Sequence, residues 1–318
     1  VEMYFEQNAG LRINGLLNVS GTSDMPVTMD GVSETQGSWM GIYVNGGQAN
    51  ITYLNLLNAG GEKFSGLSEK ASLTLENLLS MKNSIISGSG GIGLNMPGNG
   101  HIQYDVNFSG NTLENNAISA ARLRMDDVTK LLHENIVKSP DGTPAIEVRM
   151  GIDDPLGTWV NLEGDYDYKI LESLTIKSTK DLVIEAGANI KMSVGTILTV
   201  SGGLKAVGSA GSEIRIEGVQ PSKGYWDGIF INSQDTIELD RVLIRDAGGA
   251  FQDKANLIVQ SEASEAGGTV LTVTNSTLNN SKGYGVIIKS GASDFGINDP
   301  ASNNTIEGDL GSFLNENN

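Results

Sequence analysis

Short apolar triplets in the middle of the chain restrict its fold more than any other feature. In each triplet an apolar residue stands at the first and third positions, which is the alternation of a short strand with one buried face. The triplets are Leu174-Thr175-Ile176, Leu182-Val183-Ile184, Ile190-Lys191-Met192, Leu198-Thr199-Val200, Leu204-Lys205-Ala206 and Ile214-Arg215-Ile216. The first four begin eight residues apart, with turn-forming residues between them. This spacing predicts a parallel β-helix with about three strands and about 22–24 residues per turn.

The same pattern occurs twice in the chain. The first copy contains the pairs Met3/Phe5, Leu11/Ile13, Leu17/Val19, Val27/Met29, Ile42/Val44 and Leu54/Leu56. The second copy contains Ile190/Met192, Leu198/Val200, Leu204/Ala206, Ile214/Ile216, Ile229/Ile231 and Val242/Ile244. The offset is 187 residues at Met3 and has grown to 193 at Asn111, which aligns with Asn304. A Gly-x-Trp-x-Gly-Ile segment also recurs, so the sequence predicts a repeat architecture with a long unit.

We expect a single β-helix domain over 1–318. Its internal units are approximately 1–116 and 168–318, joined by the coil-continuing segment 117–167. Residues 125–132 could form a helical turn, because Val128, Leu131 and Leu132 have helical spacing; continued coil is the preferred interpretation. The first copy lacks the opening coil of the second. This predicts that an N-terminal segment is missing from the numbering and tethers the mature chain.

Charge and composition limit the function classes. The formal net charge is −17, so phosphate backbones would be repelled and no nucleic-acid partner is expected. There are no cysteines, which excludes thiol catalysis, disulfides and thiolate metal sites. The absence of cysteine also fits a bacterial envelope or secreted protein. No apolar run is long enough for a membrane-spanning helix.

Several motifs resemble a known family. These are the segments 174–209, 224–231 and 240–249, of which the second begins Gly224-Tyr225-Trp226-Asp227-Gly228-Ile229. They resemble the bacterial right-handed parallel β-helix repeat proteins, found especially among surface lipoproteins of Bacteroidetes. The resemblance covers essentially the whole chain. It implies a right-handed, single-stranded β-helix and an outer-membrane-associated, extracellular or periplasmic location, but it says little about function.

A catalytic set is not visible, although parallel β-helices often carry polysaccharide lyases and glycoside hydrolases. Asp240, Arg241, Arg245 and Asp246 flank one predicted strand and form the best acidic and basic cluster. A calcium-dependent lyase would need such carboxylates beside an Arg or Lys base. The preferred interpretation is a stripe of surface ion pairs. His101 and His133 lack a surrounding motif.

No cofactor is expected, but a calcium locus stays open. Its candidate ligands are Asp153, Asp154, Asp165 and Asp167, which supply the oxygen ligands that Ca²⁺ prefers. The alternative is that these carboxylates are solvated turn residues.

Tryptophans offer a second kind of site. Trp39 and Trp226 occupy equivalent positions in the two copies, and Trp159 lies between the copies. Exposed indoles stack on sugar rings, whereas buried indoles fill a core. Packing is the preferred interpretation, and glycan stacking by these three residues is the alternative.

We therefore expect a non-catalytic cell-surface or secreted protein that binds a polysaccharide or another cell-surface ligand. Two alternatives remain. One is a polysaccharide lyase or glycoside hydrolase acting on a polymeric glycan. The other is a purely structural module. A lyase should show Arg or Lys beside two carboxylates, and a binder should show Trp, Tyr and Asn in a row on one face.

Overall fold

The fold is a parallel β-solenoid. The computed structural model describes residues 1–103, 108–131, 134–140, 142–151, 157–162, 167–260, 271–293 and 295–317. It is nearly all-β, with 2% helix and about 11 turns of stacked parallel sheet. All six triplets that opened the sequence argument are strands, so the predicted parallel β-helix is confirmed.

The described residues form two compact units. Unit 1 is Val1–Val148, and unit 2 comprises the described residues from Arg149 onward. The strands up to this boundary are β1 (Glu2–Phe5), β2 (Gly10–Ile13), β3 (Leu17–Ser20), β4 (Val27–Gly31), β5 (Gly41–Val44), β6 (Ala49–Thr52), β7 (Leu54–Leu57), β8 (Ala71–Leu75), β9 (Leu78–Lys82), β10 (Ile85–Ser87), β11 (Ile92–Asn95), β12 (His101–Ile102), β13 (Phe108–Ser109), β14 (Thr112–Glu114), β15 (Ser119–Arg124), β16 (Ile136–Val137) and β17 (Ile146–Arg149).

Unit 2 contains the remaining strands and a short 3-10 helix at Pro300–Ser302. Its strands are β18 (Gly157–Trp159), β19 (Tyr168–Ile170), β20 (Leu174–Ile176), β21 (Asp181–Ile184), β22 (Asn189–Met192), β23 (Ile197–Val200), β24 (Gly203–Val207), β25 (Ile214–Gly218), β26 (Gly228–Ile231), β27 (Ile237–Asp240), β28 (Val242–Arg245), β29 (Ala255–Val259), β30 (Leu271–Thr274), β31 (Thr277–Ser281), β32 (Tyr284–Ile288), β33 (Thr305–Gly308) and β34 (Gly311–Asn315).

Each unit has three parallel sheets, which we name A, B and C. In unit 1, sheet A1 has the order β1-β4-β7-β10-β14-β16, sheet B1 contains β2-β5-β8-β11-β15-β17, and sheet C1 contains β3-β6-β9 with β12 and β13 on β9. In unit 2, sheet A2 contains β19-β22-β25-β28-β31-β33, sheet B2 has the order β20-β23-β26-β29-β32-β34, and sheet C2 has the order β18-β21-β24-β27-β30. In most of each unit a strand pairs with the third strand after it in the chain, as β1 does with β4 and β20 with β23. Three strands, one from each sheet, therefore make one turn.

Stacked aliphatic pairs fill the core. Ile42 pairs in register with Leu73, and Val44 pairs with Leu75. All four side chains are fully buried. Each burial of such a side chain stabilises the folded state by about 1.5–3 kcal/mol, before the entropy cost of ordering the chain is subtracted.

The two units repeat the same contacts at equivalent positions. Trp39 Nε1 donates to the carbonyl of Leu57 at 2.9 Å, and Trp226 Nε1 donates to the carbonyl of Arg245 at 2.7 Å. Hydrogen bonds from an asparagine side chain to the backbone of the preceding turn are repeated as well. Asn111 Oδ1 accepts from the backbone of Ser84, as Asn304 Oδ1 does from Ser276. Every aligned apolar pair of the two sequence copies lies on the corresponding sheet, A on A, B on B and C on C.

One segment departs from the strand rhythm. Met125–Val128 forms a single helical turn, α1, where continued coil was the preferred expectation. All four residues of α1 are buried, and Thr129 Oγ1 donates to the carbonyl of Asp126. The helical spacing of Val128 and Leu131 therefore prevails here over the strand pattern. No helix among the described residues is long and apolar enough to cross a membrane.

Asp127 in α1 should make stability depend on pH. Its carboxylate accepts from the backbone N–H of Ile102 and from Lys130, yet burial raises its pKa to about 6. The unfolded chain has a pKa near 3.9 at this group, so the folded state binds more protons between about pH 4 and pH 6. Stability from this group is thus present at low pH and is lost as the pH rises through 6.

Asp127→Asn should remove that dependence. When the pH rises from about 4 to 7, the free energy of unfolding of the wild type should fall by about 2–3 kcal/mol relative to that of the variant. Urea denaturation of both proteins at a series of pH values measures this difference. The contributions of the other carboxyl groups are the same in both proteins and therefore cancel. Parallel pH profiles for the two proteins would contradict it.

Candidate functional site

A row of charged side chains crosses the outer face of sheet A2. The β-sheet register places Lys191 beside Glu217, Glu217 beside Arg245, and Arg245 beside Asn279. These residues alternate with the core residues of the same strands, so their side chains point away from the core. Neighbouring members of the row are separated by about 4.8 Å, the spacing of paired strands.

Glu217 is the centre of an ion cluster. It forms ion pairs with Lys191 and Arg245, and Arg215 Nε lies 3.7 Å from its Oε1. The Glu217 side chain is only 2% exposed, whereas those of Lys191, Arg245 and Arg215 are 20%, 33% and 44% exposed. A molecule that approaches this face therefore meets the cations, with the carboxylate beneath them.

The charge state of Glu217 follows from these contacts. Burial alone would raise the pKa of this carboxyl group, but the hydrogen bond and charge of Lys191 and the charge of Arg245 outweigh it, and the pKa is lowered. Glu217 is therefore ionised at neutral pH and keeps the surrounding cations in place.

A polar cavity of about 430 Å³ adjoins the row. It is lined by Lys223, Arg245, Asn279, Asn280, Ser281, Glu307, Gly308 and Asp309. Lys223 forms an ion pair with Asp309 at the rim, where both side chains are about half exposed. The volume falls within the range of about 300–1,000 Å³ that is usual for small-molecule sites.

Two buried oxygen atoms lack hydrogen-bond donors among the described residues, one on a residue that lines the cavity and one on a neighbour of the lining. Asn279 Oδ1 has no hydrogen-bond partner among the described residues. Asp246 is fully buried and does not line the cavity; its Oδ1 accepts from Nδ2 of the lining residue Asn280 at 2.6 Å. Its Oδ2 accepts no hydrogen bond from the described residues and lies 3.6 Å from Arg245 Nε. Unsatisfied buried acceptors are costly, so both atoms lower the stability of the folded state.

Unit 1 builds the same turns without this chemistry. Tyr4, Asp30 and Leu57 stand where unit 2 has Lys191, Glu217 and Arg245. The fold thus does not require cations at these positions.

The rim of the cavity differs between the units in the same way. Gln36 takes the position of Lys223, and its Nε2 donates to the carbonyls of Ser89 and Asn115, both at 3.0 Å. That side chain bridges the corresponding groove of unit 1. Among the described residues, the cations of this row and rim are therefore absent from the equivalent positions of unit 1.

The four residues of the predicted acidic and basic cluster do not form one site. Asp240 and Arg241 precede β28 and pair with each other, while Thr274 and Asn275 donate to Asp240 Oδ1 at 2.8 and 2.6 Å. Arg245 ends the same strand, roughly 13 Å away along the chain. Despite some burial, these hydrogen bonds and the Arg241 charge lower the pKa of Asp240. This pair fixes a turn, whereas Arg245 lines the cavity and Asp246 lies next to it in the chain.

The tryptophans lie inside the molecule. Trp39, Trp226 and Trp159 are 1%, 0% and 2% exposed. Trp39 stacks on Phe5 at 4.1 Å between ring centroids, and Trp159 contacts Tyr168 at 5.2 Å. These buried indoles present no face on which a sugar ring could stack, so packing is the role that their surroundings show.

The predicted calcium locus is described only in part. Asp153, Asp154 and Asp165 lie outside the described residues. Asp167 is fully buried, and its Oδ2 accepts from the backbone of Asn189 at 3.1 Å. Among the residues that the structure describes, no three acidic or histidine side chains are grouped for a metal ion.

Sequence reasoning missed Lys191, Glu217, Lys223 and Asn279. A signal was present for two of them, because Lys191 and Lys223 are positively charged where the first copy has neutral residues. Tyr4, Asp30, Gln36 and Ser87 occupy the four positions in the first copy. Residues that differ between two copies of one fold are candidates for function, since the shared residues already account for the fold.

The fold and this site define a parallel β-solenoid in which a cavity lined by both cations and carboxylates adjoins a row of cations on one outer sheet. Comparisons with family models, with curated proteins and with solved structures gave no significant match.

Proposed function

We propose that the protein is a non-catalytic glycan-binding protein and that the cavity of unit 2 binds an acidic sugar. The observation that supports this most is the pair of cations over Glu217, Lys191 and Arg245, where unit 1 has Tyr4 and Leu57 on either side of Asp30. On a chain of net charge −17, exposed cations grouped on one sheet give a local attraction for anions that the rest of the surface lacks.

The chemistry of the cavity favours an acidic sugar over a simple anion. Arg245 and Lys223 can donate to a carboxylate or sulfate group, as charge-assisted hydrogen bonds. Asn279 and Asn280 line the same cavity, and amide side chains exchange hydrogen bonds with sugar hydroxyls. A ring that carries both an anionic group and hydroxyls can make both kinds of contact.

A lyase is the second candidate, because Arg245 lies beside the two carboxylates of Glu217 and Asp246. Abstraction of a proton by Arg245 would require its neutral form. Two of its nitrogens contact the ionised Glu217, which stabilises the protonated form. This arrangement favours binding over catalysis. A rise in ultraviolet absorbance on incubation with a uronate polymer, from the unsaturated product, would favour the lyase.

Arg245→Leu should weaken binding of an acidic glycan about 10- to 100-fold, the loss of one or two charge-assisted hydrogen bonds. Leucine is the residue that unit 1 carries at this position, as Leu57. Calorimetry with a polyuronate and with a sulfated glycan measures the loss and shows which anionic group is preferred.

Two further variants make that experiment decisive. Arg245→Leu combined with Asp246→Asn reproduces the Leu57-Asn58 pair of unit 1 and leaves no buried unpaired carboxylate. Lys205→Asn removes one positive charge from sheet C2, where the side chain is 59% exposed, and introduces the residue of the first copy, Asn18. Equal loss in the Lys205 control would contradict a specific site.

We infer further that the protein acts at a bacterial cell surface or in the periplasm, as a member of a lipoprotein-like family with a right-handed coil. The support is the motif resemblance over residues 174–249 and the absence of cysteine. Fractionation of cells that express the complete reading frame tests it. Recovery only in the cytoplasm would contradict it.

A further inference from the structure

Starting from the acidic sugar proposed above, we propose that the ligand of the cavity also carries a protonated amino group, which makes it a zwitterionic amino sugar acid. The proposal thus rests on the proposed function and adds a second charged group to the ligand. It depends on the carboxylates of the cavity, which the row of cations over Glu217 does not include.

Side chains of opposite charge line the cavity on the two sides of β31. Arg245 ends β28, which pairs with one edge of β31, and Glu307 lies on β33, which pairs with the other edge. Glu307 is exposed and forms no ion pair with any described residue, Arg245 included. The two charged groups therefore do not neutralise each other, and each is available to a ligand.

An irregularity in β31 places two amide side chains between these charges. The register between β31 and β33 shifts at Asn279 and Asn280, so that both residues stand opposite Glu307 alone. Such a β-bulge bends its strand and re-aims the side chains. Asn280 has a φ of +53°, in the left-handed region, and both amides line the cavity. Amides exchange hydrogen bonds with hydroxyl groups, so this part of the cavity suits a sugar ring.

The charges of the lining cancel as a set. Two cations and two carboxylates line the cavity, namely Lys223, Arg245, Glu307 and Asp309. Lys223 is paired with Asp309, and Arg245 is paired with Glu217. Glu307 is therefore the charged group of the lining that has no counter-ion among the described residues.

A ligand with only an acid group is poorly matched to this lining. Its anionic group is attracted by Arg245 and Lys223 but repelled by Glu307, and like charges brought together in a binding site cost affinity. A protonated amino group on the same ring replaces that repulsion with a charge-assisted hydrogen bond to Glu307. The lining therefore fits a sugar that carries one charge of each sign.

Calorimetry with three related sugars tests the proposal on the unmodified protein. Galactosaminuronate, which carries both charges, should bind about fivefold or more tightly than galacturonate, which carries only the acid group. N-acetylgalactosaminuronate keeps the nitrogen and its N–H group but has no positive charge. It should therefore lose the gain.

Glu307→Gln should remove the same gain through a change in the protein. The side chain is exposed and has no ion pair among the described residues, so the variant should fold as the wild type does. Its preference for galactosaminuronate over galacturonate should fall to about twofold or less, while galacturonate should bind as well as before or more tightly. Glu172→Gln is the matched control, because Glu172 is likewise exposed in unit 2 but does not line the cavity.

The outcomes separate the amino group from the acidic sugar. Equal affinity of the wild type for galactosaminuronate and galacturonate would overturn the amino-group proposal and leave the proposed function standing. A gain that persists in Glu307→Gln, or that N-acetylgalactosaminuronate shares, would also overturn it, since a positive charge beside Glu307 would then contribute nothing. Failure of all three sugars to bind would overturn both proposals.

Discussion

Trp226→Ala should lower the free energy of unfolding by about 3–5 kcal/mol, the usual cost of removing a large buried aromatic side chain. The indole is fully buried, and its Nε1 donates to the carbonyl of Arg245 at 2.7 Å. Alanine would leave a large cavity and an unsatisfied carbonyl group. Urea denaturation followed by circular dichroism measures the loss without relying on tryptophan fluorescence.

Two matched variants show which contribution dominates. Trp226→Phe keeps most of the ring volume and loses the hydrogen bond, so it should cost about 1–2 kcal/mol. Trp39→Ala removes the equivalent indole of unit 1 and should cost about as much as Trp226→Ala, since Trp39 is equally buried. Unchanged stability together with weaker glycan binding would instead favour the stacking role that the sequence left open.

Gly228→Ala should cost about 3–5 kcal/mol, from backbone strain together with steric overlap. Gly228 has a φ of +118°, and a Cβ at this position would lie 2.4 Å from the carbonyl oxygen of Ala255. Gly41, the equivalent glycine, has a φ of +103° and the same 2.4 Å distance to the carbonyl oxygen of Ser72. The neighbouring strand carries the obstructing oxygen, so relief would require the sheet to open.

Gly211→Ala is the control for the strain alone. Gly211 has a φ of +81°, but a Cβ there would meet no atom within 4 Å. Its replacement should therefore cost about 1–2 kcal/mol. Equal losses for Gly211→Ala and Gly228→Ala in urea denaturation would show that close packing of strand on strand contributes nothing at Gly228.

The strands were predictable because their signal is local. An aliphatic residue at every second position buries one face whatever the neighbours are, as in Leu198 and Val200 of β23. The alignment of the two sequence copies was predictable for the same reason, since it needs only the spacing of the strands and the positions of the repeated glycines. The strand pattern gave a wrong prediction at Met125–Val128, which is helical, because strand and helix periodicities both fit this short segment.

The candidate site was predictable only in part. Arg245 and Asp246 were recognised beside a strand, but Lys191 and Glu217 precede Arg245 by 54 and 28 residues. Nothing in the local sequence joins such distant residues, because one turn of the coil separates each from the next. The burial of Trp39 and Trp226 was also open, since a Gly-x-Trp-x-Gly frame permits either orientation of the ring.

The amino-acid sequence by itself determined where the strands and turns of the β-helix lie, because alternating aliphatic residues and turn-forming glycine and asparagine act over a few neighbouring residues. Only the tertiary structure decided which charges meet, since the parallel register places Lys191, Glu217 and Arg245 on adjacent strands. It also decided that the carboxylate is buried beneath the cations. Charge interactions depend on distance and burial, and in a coiled chain both are set between turns rather than along the sequence.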